Sequence, residues 1–485
     1  MQLAQPDQTD VLEEKLKVGL KQAGCMFDPH RRRKWLLIVS NASGKGLAGQ
    51  LLEQHWQPMM AHAGISAEVI VTEDRHHSLR IAEDLVVGEY EAVVCAGGDG
   101  LLYEVVNGVM GRPDWRSLLD GLHFGILPGG SGNGVSTSLC VLAGEACCPV
   151  SACFLLVKHP PAKADLASVT YTLPPASTCS SHDDSVPNST ALVASPSGDD
   201  KAAERGVLAQ PFGRSYSLLG VMHGVVGDLD VESENLRCLG AERFTAQAVV
   251  RSIWHRQYAS SVWYIPFEGK GAGEAGLALQ KPASDENVVL EDAGSVLPDE
   301  LHPPGEEDGG EAGVGEAHGG ETRQGPILSF GSPYSALGSE WKQLDIPGGG
   351  DLFYFSAAKC PFISRDNRVS KQSTMSDGSW YLQVLPAANF CSAISFLLSL
   401  DTEGSHSDLA HMLQVRAKAF RLITGPSKQF CCCAVWCTCC PTTAAAKQGS
   451  RWVTVDGNVI PDTTLQGEVH DTFLSLLGYV VPGTC

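Results

Sequence analysis

The sequence predicts an α/β N-terminal domain with a parallel, Rossmann-like sheet, followed by a mostly antiparallel β-sandwich C-terminal domain. Three observations predict it. Short apolar runs alternate with amphipathic stretches from Trp35 to about residue 157. Glycine-rich turns sit at the ends of those runs. Beyond residue 157 the runs shorten and helical periodicity becomes rare. Strand–helix alternation at this spacing gives a parallel sheet with helices on both faces, and such sheets bind ligands beyond the carboxyl ends of their strands.

Taken in chain order, residues 10–22 have apolar positions at Leu12, Leu16 and Leu20 and a capping-box pair, Asp10 and Glu13, which predicts a short amphipathic helix in an extension over 1–32. WLLIVS (35–40), AEVIVT (67–72), EAVVCA (91–96) and HFGILP (123–128) predict buried strands of a domain over 33–157. Helices are expected over 46–62, 76–87, 101–110 and 132–142. A β-rich domain over 158–469 follows, with strands at LASVTYTL, RSYSLLGVMHGV, SSVWYIPF, DLFYFSA, SWYLQVLP, KAFRLIT and RWVTVDG. The tail from about 470 to 485 is expected to pack back on the first domain. Tracts 174–213 and 268–325 are rich in Ser, Pro, Gly and acids and predict disordered insertions, and 425–450 is a Cys-rich insertion.

The chain has 485 residues, long enough for two cores, and a net charge of −20. Residues 282–322 hold twelve acids and no Lys or Arg, so −12 of that charge is local and offers a surface for a protein partner. A nucleic-acid partner would need a broad basic face, so none is expected. No apolar run reaches 18 residues and no basic-then-apolar leader opens the chain, which predicts a cytoplasmic protein. Seventeen scattered cysteines are then expected to be reduced. For the cluster at 431–440, unpaired thiols, acylation and a soft-metal site remain alternatives.

Chemistry concentrates at three strand ends. The first carries Asn41-Ala42-Ser43-Gly44-Lys45-Gly46, small residues that let backbone amides approach phosphate, without the P-loop spacing. The third carries Gly97-Gly98-Asp99-Gly100, a carboxylate flanked by bare backbone and suited to orient and deprotonate an acceptor hydroxyl. The fourth carries Gly129-Gly130-Ser131-Gly132-Asn133 at a helix start, a candidate anion nest. Further on, Asp228, Asp230, Glu232 and Glu234 recur at every second position, which on a strand would align four acids on one side. Glu232 and Glu234 also read as a solvated run, and Asp230 as a helix N-cap.

The set NxSGKG, GGDGxxxEVVNG and LPGGSGN resembles the catalytic domain of the diacylglycerol-kinase-like lipid kinases and, more distantly, NAD kinases and phosphofructokinases. DLDVESE with Arg237 and Arg243, RPDW at 112–115, VDG at 455–457 and QGEVH at 466–470 are similar to sphingosine kinases. The resemblance implies an ATP- and Mg2+-dependent kinase acting on the primary hydroxyl of a sphingoid base, working peripherally at membranes. It implies Asp99 as general base, also near the substrate. Asn41, Ser43, Gly44, Lys45, Gly46, Thr72, Gly97, Gly98, Gly100, Glu104, Gly129, Gly130, Ser131, Gly132, Asn133, Arg237, Arg243 and Asp456 would form the nucleotide site. Asp230 and Asp228 would bind the headgroup, and the metal ligands stay unassigned. Ala42, Asn458 and Gly220 depart from the family's Pro, acid and Ser. Leu218, Leu219, Val221, Phe390 and Leu397 are candidates for an acyl-chain pocket by apolarity alone. A diacylglycerol or ceramide kinase, a non-catalytic lipid-binding scaffold and a homodimer are the open alternatives.

Overall fold

A computed structural model describes residues 33–41, 44, 46–74, 76–173, 192–194, 212–233, 235–236, 242–254, 256–268, 325–429, 452–460 and 464–482. The helix expected over 10–22, most of the three insertions, the acidic tract 282–322, the cysteines at 431–440, and Ser43, Lys45, Glu234 and Arg237 lie outside the described residues.

The four expected strands are β1 (Arg33–Val39), β2 (Ile65–Val71), β3 (Ala92–Gly97) and β4 (His123–Pro128), all parallel in the order β2-β1-β3-β4. β1, β3 and β4 are buried almost throughout, whereas β2 is half exposed, as an edge strand is. The first helical stretch is α1 (Ala48–Leu51) and α2 (Gln57–His62) around a π-helical insert at Leu52–Trp56. α3 (His77–Glu83) and α4 (Asp99–Met110) pack together, and Gly108 permits the contact: a Cβ there would lie 2.7 Å from Ala82 Cβ and 2.9 Å from Leu79 O. α5 (Trp115–Leu119) leads to β4. α6 (Gly134–Leu142) and α7 (Pro149–Lys158) follow, the second not anticipated from the sequence. One apolar cluster lies on each face of the sheet, with Leu36, Val93 and Phe124 on one side and Trp35, Val94 and Trp56 on the other.

The rest is mostly antiparallel: β5 (Ala162–Thr172), β6 (Leu192–Ala194), β7 (Phe212–Ser217), β8 (Gly220–Gly224), helices α8 (Val225–Glu232) and α9 (Glu242–Ile253), then β9 (Arg256–Pro266) and β10 (Lys342–Gln343). β11 (Asp351–Ala358), the hairpin β12 (Phe362–Ser364) and β13 (Asn367–Arg368), β14 (Trp380–Pro386) and α10 (Phe390–Leu398) come next. β15 (Leu413–Gln429), β16 (Val453–Val455), β17 (Asn458–Ile460) and β18 (Thr464–Leu476) complete the described strands. Their inward faces share a core containing Tyr171, Val262, Phe355, Trp380 and Phe420. The last residue of β18 pairs in parallel with β4 (Leu476 with Phe124), joining the two sheets in one hydrogen-bonded path.

Two expectations change. RSYSLLGVMHGV is not one strand, because the chain breaks at Leu218 and Leu219 into β7 and β8. DLDVESE is not extended, because the segment through Glu232 is helix α8, capped by Gly224 at φ 84° rather than by Asp230.

Asn107 stitches the two parts. Its Nδ2 donates to Tyr216 O (2.9 Å) and Tyr103 O (2.8 Å), and its Oδ1 accepts from Tyr216 N (2.8 Å), so a side chain of α4 completes the edge of β7. Asn107→Leu strands a buried amide and carbonyl and is expected to cost about 2–4 kcal/mol in denaturant unfolding.

Candidate active site

The carboxyl ends of β1, β3 and β4 converge because their turns touch through bare backbone. Gly129 N donates to Gly97 O (2.9 Å), and Ser40 N donates to Ala96 O (3.0 Å). A Cβ on Gly130 would lie 2.5 Å from Gly98 Cα, and one on Gly44, already at φ 58°, would lie 2.6 Å from Gly129 O. Only glycine allows that stacking. Thr72 joins the rim, its amide donating to Val39 O (2.8 Å), and Asn41 Oδ1 accepts from Gly49 N (3.2 Å). Glu104 lies little more than one turn along α4 from Asp99 and accepts a hydrogen bond from Ser78 Oγ.

Asp99 opens α4 at this junction. Its Oδ2 accepts from Gly134 N (2.8 Å) and its Oδ1 from Val135 N (2.9 Å). The positive end of α6 therefore holds a side chain of the neighbouring helix. Burial pushes the carboxyl up to about 6; the two amides oppose that shift, and the charge of Asp456 adds to it.

Part of the expected anion nest is used internally. Asn133, left-handed at φ 60°, accepts from Gly130 N (2.9 Å) and donates to Gly130 O (2.7 Å). The β12–β13 hairpin presses on the same loop: Arg365 N donates to Gly132 O (2.7 Å), and Phe362 N donates to Ser138 Oγ (3.1 Å).

Asp456 is buried, and its carboxylate accepts from Ser217 Oγ (2.6 Å), Leu218 N (2.9 Å), Leu219 N (3.2 Å) and Gly220 N (2.9 Å). It thus fixes the turn between β7 and β8 beside Asp99. Burial raises its pKa against those four donors. The same turn is gripped from the other side, where Lys359 N donates to Leu219 O (3.0 Å) and Cys360 Sγ donates to Leu218 O (2.9 Å). Lys359 is itself buried, with Nζ 2.8 Å from Asp165 Oδ2. Sequence reasoning missed this pair, whose one local signal is a lysine directly after the largely apolar strand β11.

Helical geometry separates the acids expected to act together. Asp228 and Glu232, four apart, share a face of α8, and Asp230 points away from it. Asp228 is fully buried and accepts from Arg256 (2.7 Å) and Tyr258 Oη (2.6 Å); Glu232 pairs with Arg251 and Arg256. Burial pushes the Asp228 carboxyl up to about 6 in spite of the two arginines. Glu232, paired with two arginines, is therefore not a solvated charge. Asp230 instead approaches the 456–457 turn, where a Cβ on Gly457 would lie 3.8 Å from its Oδ2. Arg243 is buried on α9 with its guanidinium 4.5 Å over the Phe244 ring.

The candidate acyl-pocket residues are dispersed. Leu218 and Leu219 pack in the cluster beside α4, Val221 in the core of the β-rich part, and Leu397 against Phe353 and Phe396, while Phe390 is partly exposed. Among the described residues no group of three or more His, Cys, Asp or Glu could hold a metal ion, and no helix is long and apolar enough to cross a membrane.

Residues 34–169 match the model of the diacylglycerol kinase catalytic domain. Over 81% of its length the chain is 25% identical to sphingosine kinase 2 of Arabidopsis thaliana, covering 66% of that protein. It is 31% identical to human sphingosine kinase 1 over 55% of this chain and 62% of the relative. Sphingoid long chain base kinase 5 of Saccharomyces cerevisiae is 22% identical over 96% of this chain and 61% of its own length. The chain thus spans less than two thirds of each of these relatives. Among solved structures, a putative diacylglycerol kinase from Bacillus anthracis str. Sterne covers 93% of this chain and 99% of its own at 12% identity, with a TM-score of 0.49.

Proposed function

We propose that this chain, similar to the sphingosine kinases and to the diacylglycerol kinase catalytic domain, phosphorylates the primary hydroxyl of a sphingoid base with ATP. The observation that carries the proposal is the placing of Asp99: a carboxylate held by two helix-terminal amides where three glycine turns meet. Bound ATP would supply the transferable phosphoryl group. The stacked Gly44 and Gly130, neither of which admits a side chain facing its neighbour, fit a triphosphate lying against backbone. With Gly129 N and Gly130 N already paired, amides at Ser131, Gly132 and Asn133 take the phosphate role in this reading. Asn41, Gly46, Thr72, Gly97, Gly100 and Glu104 complete the nucleotide rim, with Ser43, Lys45, Arg237 and Arg243 as further phosphate partners.

Asp99 orients the lipid hydroxyl and takes its proton, a role suited to a carboxyl whose pKa lies near 6. Asp230 receives the ammonium of the headgroup. Asp228, ion-paired beneath α8, supports that helix and does not touch substrate. Asp456 keeps the β7–β8 turn against Asp99. Magnesium would be held mainly by phosphate and water with at most one or two carboxylates, the usual pattern for that ion. The nucleotide half is assigned to 33–157 and the lipid half to 158–469. Apolar side chains exposed along α9, just after it and on α10, Val249, Trp254 and Leu398 among them, support peripheral docking at a membrane from the cytoplasm.

Labelled ATP with a panel of sphingosine, diacylglycerol and ceramide tests the substrate, and preferential labelling of diacylglycerol or ceramide overturns it. Asp230→Asn is expected to raise KM for sphingosine about 10- to 100-fold, since a charged hydrogen-bond partner is lost, and to leave KM for ATP unchanged.

A further inference from the structure

We propose that Cys147 and Cys140 form a peroxide-sensitive dithiol that closes to a disulfide behind the helix holding Asp99. Cys140 lies buried in the last turn of α6. Gly144, at φ 69°, turns the chain back, and Glu145 N donates to Cys140 O (2.8 Å), so the following loop lies across that turn. Cys147, half-exposed, packs against the same apolar cluster as Cys140. Its sulfur is 3.2 Å from Thr137 Oγ1, and Thr137 sits one turn before Cys140 on the same helical face. The two thiols lie near enough for each to influence the ionisation of the other.

The surroundings divide their roles. The neighbouring Cys140 thiol, the Thr137 hydroxyl and the nearby Arg365 guanidinium bring the Cys147 thiol down to about 6 against the opposing effect of burial. Cys140 is pushed upward by the same partner and by burial. A partly exposed thiolate beside a buried thiol has the attributes of an oxidant-sensing cysteine and its resolving partner. Cys148, adjacent in sequence, is occupied elsewhere, because its sulfur caps α7 and accepts from Ser151 N at 3.3 Å.

The chemistry balances with one hydroperoxide. The Cys147 thiolate attacks a peroxide oxygen, the O–O bond breaks, and the departing hydroxide takes a proton to leave as water. Cys140 then loses its proton and attacks the sulfenic sulfur. The S–O bond breaks, a second water departs, and the S–S bond forms. Two thiols lose two electrons and the peroxide gains them. The disulfide would tie the carboxyl end of α6 to its loop, while the amino end of α6 holds Asp99 and Arg365 N holds Gly132 O.

The test reads thiols and not turnover, so it stands apart from the kinase reading. The full chain is treated with hydrogen peroxide, blocked with N-ethylmaleimide and cut after Glu145, which separates Cys140 from Cys147. A linked Cys140–Cys147 peptide pair is expected. Cys147→Ser should lose it completely and Cys148→Ser should keep it. Cys140 recovered alkylated while Cys147 is over-oxidised, or a link to Cys140 that survives Cys147→Ser, overturns the proposal.

Discussion

Asp99→Asn is expected to lower phosphoryl transfer by a factor on the order of 10^3, the range that a positioned general base supplies, while nucleotide and lipid binding persist. The substitution preserves shape. One amide oxygen can still accept from Gly134 N or Val135 N, and the new NH2 faces the other donor, so one hydrogen bond is lost at a cost of about 1 kcal/mol. Part of that loss is returned. The folded-state pKa is raised from 3.8 to about 6, so the folded protein holds this proton more tightly than the unfolded chain does. Ionising Asp99 therefore costs stability as pH rises through that window, and the neutral Asn removes the cost above it. Turnover by labelled ATP, read beside nucleotide and lipid titrations, separates the effects. Turnover within tenfold of the parent would exclude Asp99 as the base.

Asp456→Asn carries the second large effect, on both stability and pH dependence. Oδ1 of Asp456 receives Ser217 Oγ, Leu219 N and Gly220 N, while Oδ2 receives Leu218 N alone. An Asn in the favourable orientation keeps the first three and opposes Leu218 N with its own NH2, at about 1–3 kcal/mol. Asp456→Ala leaves all four donors without the carboxylate and is expected to cost about 3–5 kcal/mol, measured by urea unfolding. The parent enzyme should lose kcat/KM as pH falls through about 6, because the base works only when ionised. Asp456 disfavours ionisation of Asp99 by like charge, so the Asn variant should carry this acid limb to lower pH. An unmoved limb would mean that the two carboxylates are not coupled during catalysis.

The periodic features were legible. HFGILP is β4 to the residue, because a strand buried on both faces writes a continuous apolar run whatever surrounds it. GGDG and LPGGSGN were legible as turns because bare backbone at a strand end has few purposes besides close approach. The acids of DLDVESE were misread for a related reason. Alternating acids fit either a strand or a helix, and the choice fell to Gly224 and to Arg251 and Arg256, which draw Asp228 and Glu232 to one buried face. The split of RSYSLLGVMHGV is another such case: the chain bends at Leu218 and Leu219 because Asp456, far along the sequence, offers their amides a carboxylate.

By itself the sequence determined the parallel sheet, the order of its glycine turns and the position of one acid among them, since each depends on neighbours within a few residues. The tertiary structure decided what holds that acid, which of the later acids can approach it, and how the β-rich part is fastened beside it. Those decisions rest on hydrogen bonds and ion pairs between residues far apart in the chain, such as Lys359 with Asp165 and Asn107 with Tyr216. Such pairs leave no period in the sequence, because either partner looks like an ordinary surface residue until folding removes it from water.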